Sequence, residues 1–229
     1  MNSQILCLLQ LAFAPVGAYS YSEGIESLVE TGTIDSAISL KNWLKNSLQF
    51  GAIRVEAAVA VRALRAANLG DLEALSYWNA WATATKETEE LRSQSWQMGR
   101  TLIKLLLDLR SPISAQLTTP VKELIEPCGN QCNFAIGFGI AAACWQIEEE
   151  VAVLGYLYSW ATNLASAGVK LIPLGQTDGQ QLLLDLHAQI SCTAQEVLKL
   201  DDDDLGSCSW GLALASMAHE TQYTRLFRS

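Results

Sequence analysis

The chain has 229 residues, of which 50% are hydrophobic and 17% are charged, and its formal net charge is −9 at pH 7. This length and composition predict one well-filled domain and exclude a disordered protein. The acidic balance argues against nucleic acid as the main partner, because phosphate binding requires a concentrated positive surface. We expect the acidic runs at residues 148–150 and 201–204 to lie on solvated faces or loops.

The N-terminal segment leaves two interpretations open. Residues 5–18 are apolar and end in small residues, like the core of a signal peptide, but the first basic residue is Lys41. No uncharged apolar stretch is convincing as a membrane span, and residues 134–147 come closest. The six cysteines are scattered, which favours reduced thiols over a disulfide framework. The sequence therefore predicts a cytoplasmic protein, with a cleaved leader as the alternative.

Helical periodicity runs through the first half of the chain, without the alternation typical of a sheet. Ser20 and Glu23 form a capping-box pattern that predicts a short helix from about Ile25. Asp35 is predicted to cap the next helix. The apolar stripe of that helix is Ile38, Trp43, Leu44 and Leu48. Further helices are predicted over residues 51–68, 71–86 and 87–109, then a break at Ser111-Pro112 and a short helix over residues 120–127.

The second half continues the pattern. Helices are predicted over residues 134–145, 148–167, 177–200 and 212–219, the third opened by a capping box of Thr177 and Gln180. Gly137 and Gly139 indicate close approach between helices. The predicted fold is an all-α, single-domain bundle of about ten helices over residues 1–220. We expect residues 1–35 to be a mobile partner-binding or dimerisation element.

The last residues form an unusual tail, predicted over 221–229. Chain ends are usually polar, yet Leu226 and Phe227 stand here between Arg225 and Arg228. Leaving both apolar side chains in water forfeits about 1.5–3 kcal/mol each relative to burial. The tail is therefore predicted to dock, either on its own domain or on another protein.

Few residues indicate chemistry by this chain alone. The glycine-containing loops at residues 14–24 and 171–180 lack the Gly-Lys-Ser/Thr ending of a phosphate-binding loop, which argues against an NTPase. Cys128 and Cys132 lack a matching second ligand pair for zinc. Of the two histidines, His187 and His219, the second is a weak candidate for a metal site shared with a partner. We therefore predict no catalytic residues, no bound cofactor and no metal site built by this chain alone.

Two charged patterns keep alternatives open. One helix face carries three arginines at helical spacing, Arg54, Arg62 and Arg65. They predict either a solvated or ion-paired face or a docking surface for an acidic partner. The aspartate run could hold magnesium in a helical diphosphate-dependent enzyme, but Leu205 occupies the fifth position, where such a site needs an acid.

Several motifs, in order along nearly the whole chain, resemble the UreF family of urease accessory proteins. The more specific ones are Pro-Leu-Gly-Gln-Thr-Asp-Gly-Gln at residues 173–180 and the terminal Arg-Leu-Phe-Arg-Ser. The others lie at residues 8–11, 15–26, 90–92, 98–99, 138–139, 156–157, 171–172 and 219–220. The chain departs from the family pattern between Leu11 and Pro15, where only three residues remain and the loop is shortened.

The resemblance implies a dimerising, non-enzymatic scaffold for urease maturation. Such a protein binds a D/H-type accessory protein and recruits a nickel-carrying GTPase of the G type, and the assembly docks on apo-urease. GTP would be bound by the GTPase and nickel handled by the complex, with a nickel-binding carrier as the alternative role. On this reading the tail binds the D/H-type partner, and the two loops bind the GTPase or a second copy. The implied partner-binding residues are Tyr19, Ser20, Ser22, Glu23, Gly24, Glu26, Pro173, Gly175, Gln176, Thr177, Gly179, Gln180, Tyr223, Arg225, Leu226, Phe227 and Arg228.

Overall fold

The computed structural model describes residues 17–109 and 119–228. Within these ranges it is built from α-helices and short 3-10 turns, without a strand, which confirms the all-α prediction. The helices are α1 (Ile25–Glu30), α2 (Ala37–Phe50), α3 (Ala52–Leu69), α4 (Leu72–Ala84), α5 (Glu89–Asp108), α6 (Val121–Ile125), α7 (Phe134–Cys144), α8 (Glu149–Leu171), α9 (Gln176–Val197) and α10 (Trp210–Glu220). The predictions for residues 5–16, the shortened loop and the break at Ser111-Pro112 lie outside the described residues.

Helix α7 forms the centre of the bundle, and ten of its eleven residues are buried. It packs mainly on α3 and α5, while α9 packs on α8 and α2. The predicted close approach is confirmed at Gly139, where an added Cβ would lie 2.4 Å from the carbonyl oxygen of Ala60. A Cβ added at Gly137 would lie 3.5 Å from its nearest neighbour, the carbonyl oxygen of Gly99, which is an ordinary contact distance. Packing therefore does not require a glycine at residue 137.

The three predicted helix caps are displaced. Helix α2 is capped by Ser36 rather than Asp35, because Ser36 Oγ accepts from the backbone N–H of Ser39 at 3.3 Å. Helix α1 follows Gly24, which lies in the left-handed region at φ 77°, so the predicted Ser20–Glu23 box does not form. Local backbone geometry thus overrode the sequence pattern.

The cap of helix α9 likewise lies two residues before the predicted Thr177 cap. Gly175 is the cap, and its N–H donates to Asp178 Oδ2 at 3.1 Å. The predicted stripe of α2 is also partly wrong, because Ile38 is 68% exposed while Leu40, Leu44 and Leu48 are fully buried. None of the described helices is long and apolar enough to cross a membrane.

Candidate partner-binding face

Lys170, near the end of α8, joins the three segments that the sequence singles out. Its Nζ lies 5.9 Å from the ring centre of Tyr19, in the N-terminal 3-10 turn, and 5.2 Å from that of Phe227 in the tail. An open groove of about 320 Å³ runs between Tyr19, Lys170 and the first turn of α9, at Gln176 and Gln180. We call the surface formed by residues 17–22, 170–180 and 223–228 the composite face.

The tail docks on its own domain. The N–H groups of Leu226 and Phe227 donate to the two carboxylate oxygens of Glu26, at 2.6 and 2.9 Å. The N–H of Arg228 donates to the carbonyl oxygen of Ser20 at 2.8 Å. The Phe227 ring is buried, at 5% exposure. Of the two predicted docking modes, the single chain therefore adopts the intramolecular one.

The docked tail still presents side chains to solvent. Tyr223 is fully exposed and Leu226 is 65% exposed, so docking of the tail on its own domain buries Phe227 and leaves Leu226 in solvent. The side chain of Arg225 is 41% exposed and lies 3.7 Å from Glu90 Oε1. Two large apolar residues and one guanidinium thus project outward from a segment whose backbone is fixed.

A buried histidine lies beneath the tail. His219 Nδ1 is 2.8 Å from Glu90 Oε1, and His219 Nε2 is 3.3 Å from Glu26 Oε2. The imidazole has no exposed surface. We call Glu26, His219 and Glu90 the clasp. Because both ring nitrogens already face carboxylates, His219 is not free to bind a metal without breaking the clasp, and no described group of His, Cys, Asp or Glu side chains could hold a metal ion.

The N-terminal segment turns several predicted residues inward. Gly24 packs so closely on α10 that an added Cβ would lie 2.9 Å from that of Ala215. Ser22 is buried, and its Oγ accepts from the N–H of Glu26 at 3.4 Å. Glu23 has a φ of 50°, unusual for a residue with a side chain. These residues support the composite face from within.

Glu23 reaches into a polar interior that the sequence analysis missed. Its Oε2 accepts from Trp160 Nε1 at 2.9 Å, and burial together with the nearby Glu56 carboxylate raises its pKa to about 7. Glu56 pairs with Lys86 and accepts a hydrogen bond from the Tyr156 hydroxyl at 3.0 Å. A cavity of about 580 Å³ opens beside Glu23 and Glu56. No local pattern signals this cluster, because its members come from separate segments.

The second loop presents most of its predicted residues to solvent. Pro173, Gln176, Thr177 and Gln180 are exposed around the N-terminus of α9. Gly179 is buried instead, where an added Cβ would lie 2.7 Å from Val169 Cγ2. The exposed polar groups and the free N–H groups of the first turn of α9 can bind acidic or polar atoms of a partner.

The three spaced arginines are paired within the chain. Arg54 lies 3.2 Å from Glu196, and Arg65 binds both oxygens of Glu149 at 2.8 and 2.7 Å. Arg62 is buried, donating to Asp202 at 2.7 Å and to the carbonyl oxygen of Leu200 at 2.9 Å. The ion-paired alternative therefore describes them, and Asp202 is a partner of Arg62 rather than purely a solvated acid.

The thiols of Cys128 and Cys132 are both buried. A hydrogen bond from Cys132 lowers the pKa of Cys128, while the same contact and burial raise that of Cys132.

The predicted partner-binding residues divide into exposed and supporting sets. The exposed set is Tyr19, Pro173, Gly175, Gln176, Thr177, Gln180, Tyr223, Arg225, Leu226 and Arg228. The buried or half-buried set is Ser20, Ser22, Glu23, Gly24, Glu26, Gly179 and Phe227. The exposed set can contact a partner while the structure stays as it is, whereas the fully buried residues cannot.

Comparison with known proteins gives a consistent result. The family model described as UreF matches residues 34–187. The chain is 58% identical to the urease accessory protein UreF of a Nostoc species, over 100% of this chain and 97% of that protein. It is 56% identical to the UreF of Trichormus variabilis over the same shares, and 40% identical to that of Chromohalobacter salexigens over 94% of this chain and 89% of that protein.

Proposed function

This chain belongs to the UreF family of urease accessory proteins, and from that premise we propose that it is a non-catalytic scaffold for nickel insertion. Family membership implies a role in urease maturation. In our proposal the chain bridges a D/H-type accessory protein and a G-type, nickel-carrying GTPase, and brings both to apo-urease in the cytoplasm. GTP hydrolysis belongs to the GTPase, whose activity the scaffold modulates, and the nickel is cargo of the complex.

The composite face is the observation that supports this proposal. Three segments far apart in sequence meet at Lys170, which contacts Tyr19 and the tail residue Phe227 and lines the groove at Gln176 and Gln180. Tyr19, beside the cation of Lys170, is 50% exposed, and Leu226, which precedes the Phe227 anchor, is 65% exposed. A fixed surface that combines aromatic, aliphatic and basic groups is typical of a protein-binding site.

We assign the tail to the D/H-type partner. Its backbone is held by Glu26 and by the carbonyl oxygen of Ser20, so Tyr223, Arg225 and Leu226 are presented at little ordering cost. Tyr and Arg are the residue types that most often dominate binding energy in interfaces.

The groove beside Lys170 is assigned to the GTPase. It lies next to the tail, so one scaffold can hold both partners side by side. Holding two proteins on one chain converts their encounter into an intramolecular event, with effective concentrations that reach the millimolar range. This gain requires no catalytic group on the scaffold.

The test is co-purification of the partners with a chain that lacks residues 221–229. We expect the truncated chain to keep its helical circular-dichroism signal and to lose the D/H-type partner. The matched control is Leu69→Ala, which trims an 80%-exposed leucine at the end of α3, away from the composite face. Retention of the partner by the truncated chain would overturn the role of the tail.

A second arm tests the groove. Gln176→Ala and Gln180→Ala, which line the groove and have no contact with the Phe227 anchor, should weaken binding of the GTPase while leaving the D/H-type partner bound through the tail. Addition of the wild-type chain should alter GTP turnover by the GTPase, and the isolated chain should show none. Stoichiometric nickel binding by the isolated chain in equilibrium dialysis would instead favour the carrier role.

We also propose that the scaffold is a homodimer. Ile38 on α2 and Leu184 on α9 are 68% and 70% exposed, and the neighbouring Lys41–Asp185 ion pair joins the same two helices. Sedimentation equilibrium should give twice the 24.9 kDa chain mass, and Ile38→Asp with Leu184→Asp should reduce it to the single mass. A monomer for the wild-type chain would refute the dimer.

A further inference from the structure

Two cavities share one acidic wall inside the bundle. The larger, of about 580 Å³, is lined by parts of α2, α3, α8 and α10, and its volume lies within the range of small-molecule sites. The smaller, of about 50 Å³, has room for about three to five water-sized groups. Glu23, Glu56 and Trp160 line both cavities. None of the described residues that line the larger cavity belongs to the composite face, so a ligand bound there would occupy a separate site.

The acidic wall carries more negative charge than the chain itself neutralises. Glu56 is paired with Lys86. Glu23 instead has two neutral donors, Trp160 Nε1 at 2.9 Å and Gln94 Nε2 at 3.4 Å. In the part of the chain that the structure describes, no cation lies within ion-pair distance of Glu23. An ionised Glu23 therefore lacks a counter-charge, in a site where burial makes an unpaired charge costly.

A further acceptor lies at the smaller cavity. Asn163, which is 6% exposed, lines this cavity together with Glu23 and donates from Nδ2 to the carbonyl oxygen of Tyr21 at 2.9 Å. Its Oδ1 has no hydrogen-bond partner among the described residues. A buried acceptor without a donor is costly. Two carboxylates and one amide oxygen therefore favour a cationic ligand that is rich in N–H donors.

The other walls suit a planar cation. Trp43, Phe50 and Trp160 line the larger cavity, and within the described residues no lysine or arginine lines it. Cations bind over aromatic rings, and a guanidinium does so most often, because it is planar and weakly hydrated. The guanidinium of an arginine carries five N–H donors in one plane, whereas an ammonium carries three on a compact, strongly hydrated centre. The acceptors and the aromatic walls together favour the guanidinium.

We propose that the two cavities form a binding pocket for a guanidinium group, which pairs with Glu23 and Glu56 while its aliphatic stem lies in the larger cavity. The group belongs either to a free guanidine compound or to an arginine side chain of a bound polypeptide, and the test separates these two sources. The pocket is a property of the isolated chain, so it does not rest on the scaffold role.

The test is a titration of the full chain with N-acetylarginine methylamide, followed by thermal unfolding and by the Trp160 indole N–H signal in nitrogen-15 NMR. It is run at pH 8, above the pKa of about 7 that burial and the Glu56 carboxylate give Glu23. We expect the thermal midpoint to rise with ligand concentration. The Trp160 signal should shift, because its N–H donates to Glu23.

The matched ligand is N-acetylcitrulline methylamide, which has nearly the same shape without the charge. It should bind about tenfold more weakly or worse, because hydrogen bonds to charged groups are the stronger ones. Equal binding of the two compounds, or no binding of the arginine compound at about 10 mM, would overturn the proposal.

Variants of the chain locate the response in the pocket. Glu23→Gln, which keeps an acceptor but removes the charge, should weaken binding by about tenfold or more. Phe50→Ala trims a ring that is 55% exposed, so the fold should persist while binding weakens by about two- to fivefold. The matched control is Glu30→Gln, which removes an equal charge from an exposed residue outside both cavities and should bind like wild type. Wild-type affinity in Glu23→Gln would refute the pocket.

Methylguanidinium and nickel chloride complete the series. Binding of methylguanidinium as tight as that of the arginine compound supports a free guanidine compound as the source, and weaker binding supports an arginine side chain whose stem fills the larger cavity. A rise of the thermal midpoint with nickel, and none with either guanidinium compound, would overturn the proposal, because the carboxylates would then be metal ligands. None of these results depends on whether a partner co-purifies, so failure here is distinguishable from failure of the scaffold role.

Discussion

Removal of the Phe227 ring should open the tail while leaving the bundle folded. The ring is 5% exposed and packs beneath the ammonium of Lys170. Burial of a phenylalanine contributes about 1.5–3 kcal/mol, and a cation–π contact contributes about 0.5–1 kcal/mol. Phe227→Ala should therefore cost about 2–4 kcal/mol of docking free energy, which lowers the ratio of docked to open tail by about 30- to 700-fold.

Hydrogen exchange measured by mass spectrometry on C-terminal peptides resolves this effect. The amides of residues 226–228 should lose protection in Phe227→Ala, while the thermal midpoint of the bundle stays close to that of wild type. The matched control is Leu226→Ala, because this neighbour is 65% exposed and its truncation leaves the bond from its N–H to Glu26 intact. Equal loss of protection in both variants would refute the assignment of Phe227 as the anchor.

Substitutions at three internal supports, Gly24, Glu23 and Arg62, test the account further. Gly24→Ala should destabilise the chain by about 2–4 kcal/mol, because Gly24 has a positive φ and an added Cβ would lie too close to α10. The control is Gly17→Ala, which should cost about 1–2 kcal/mol, because Gly17 also has a positive φ but an added Cβ there would meet no atom within 4 Å. Folding raises the pKa of Glu23 to about 7, so the free energy of unfolding measured in urea should fall by on the order of 1–3 kcal/mol between about pH 4.5 and pH 7. Glu23→Gln should remove this fall. A wild-type free energy of unfolding that does not change over this pH range would contradict the prediction. Arg62→Ala should lower the free energy of unfolding by about 2–3 kcal/mol in chemical denaturation, because the carbonyl groups of Ala58 and Leu200 lose their donor. Arg65 is more exposed, so Arg65→Ala should lower it by less than about 1 kcal/mol. Equal losses in the two variants would refute the distinction.

The helical architecture could be predicted from the sequence because periodic burial fixes it. Local sequence patterns indicated several features that the structure shows. They include the buried stripe of Leu44 and Leu48, the close helix contact at Gly139 and the helix end at Gly70. Helix ends were less predictable. Two residues with positive φ, Glu23 and Gly24, replaced an expected capping box, and sequence pattern does not reveal such backbone geometry.

The interior of the site could not be predicted, because its contacts are long-range. Glu26 and His219 are 193 residues apart in sequence, and Glu56 and Tyr156 are 100 apart. The sequence predicted His219 only as a weak candidate for a metal ligand. The fold shows that its imidazole lies between the carboxylates of Glu90 and Glu26. The tail was predictable as a docking element from its composition, but its division into a buried Phe227 and an exposed Leu226 depends on the shape of the domain.

The decisive measurement is co-purification of the D/H-type accessory protein with a chain carrying Tyr223→Ala and Leu226→Ala together. Both side chains project from the docked tail, and their removal leaves the Glu26 bonds and the Phe227 anchor in place. If the tail is the partner-binding element, this variant keeps its protected tail amides and loses the partner, while Leu69→Ala retains it. Wild-type recovery of the partner by the double variant would contradict the proposed role of the composite face.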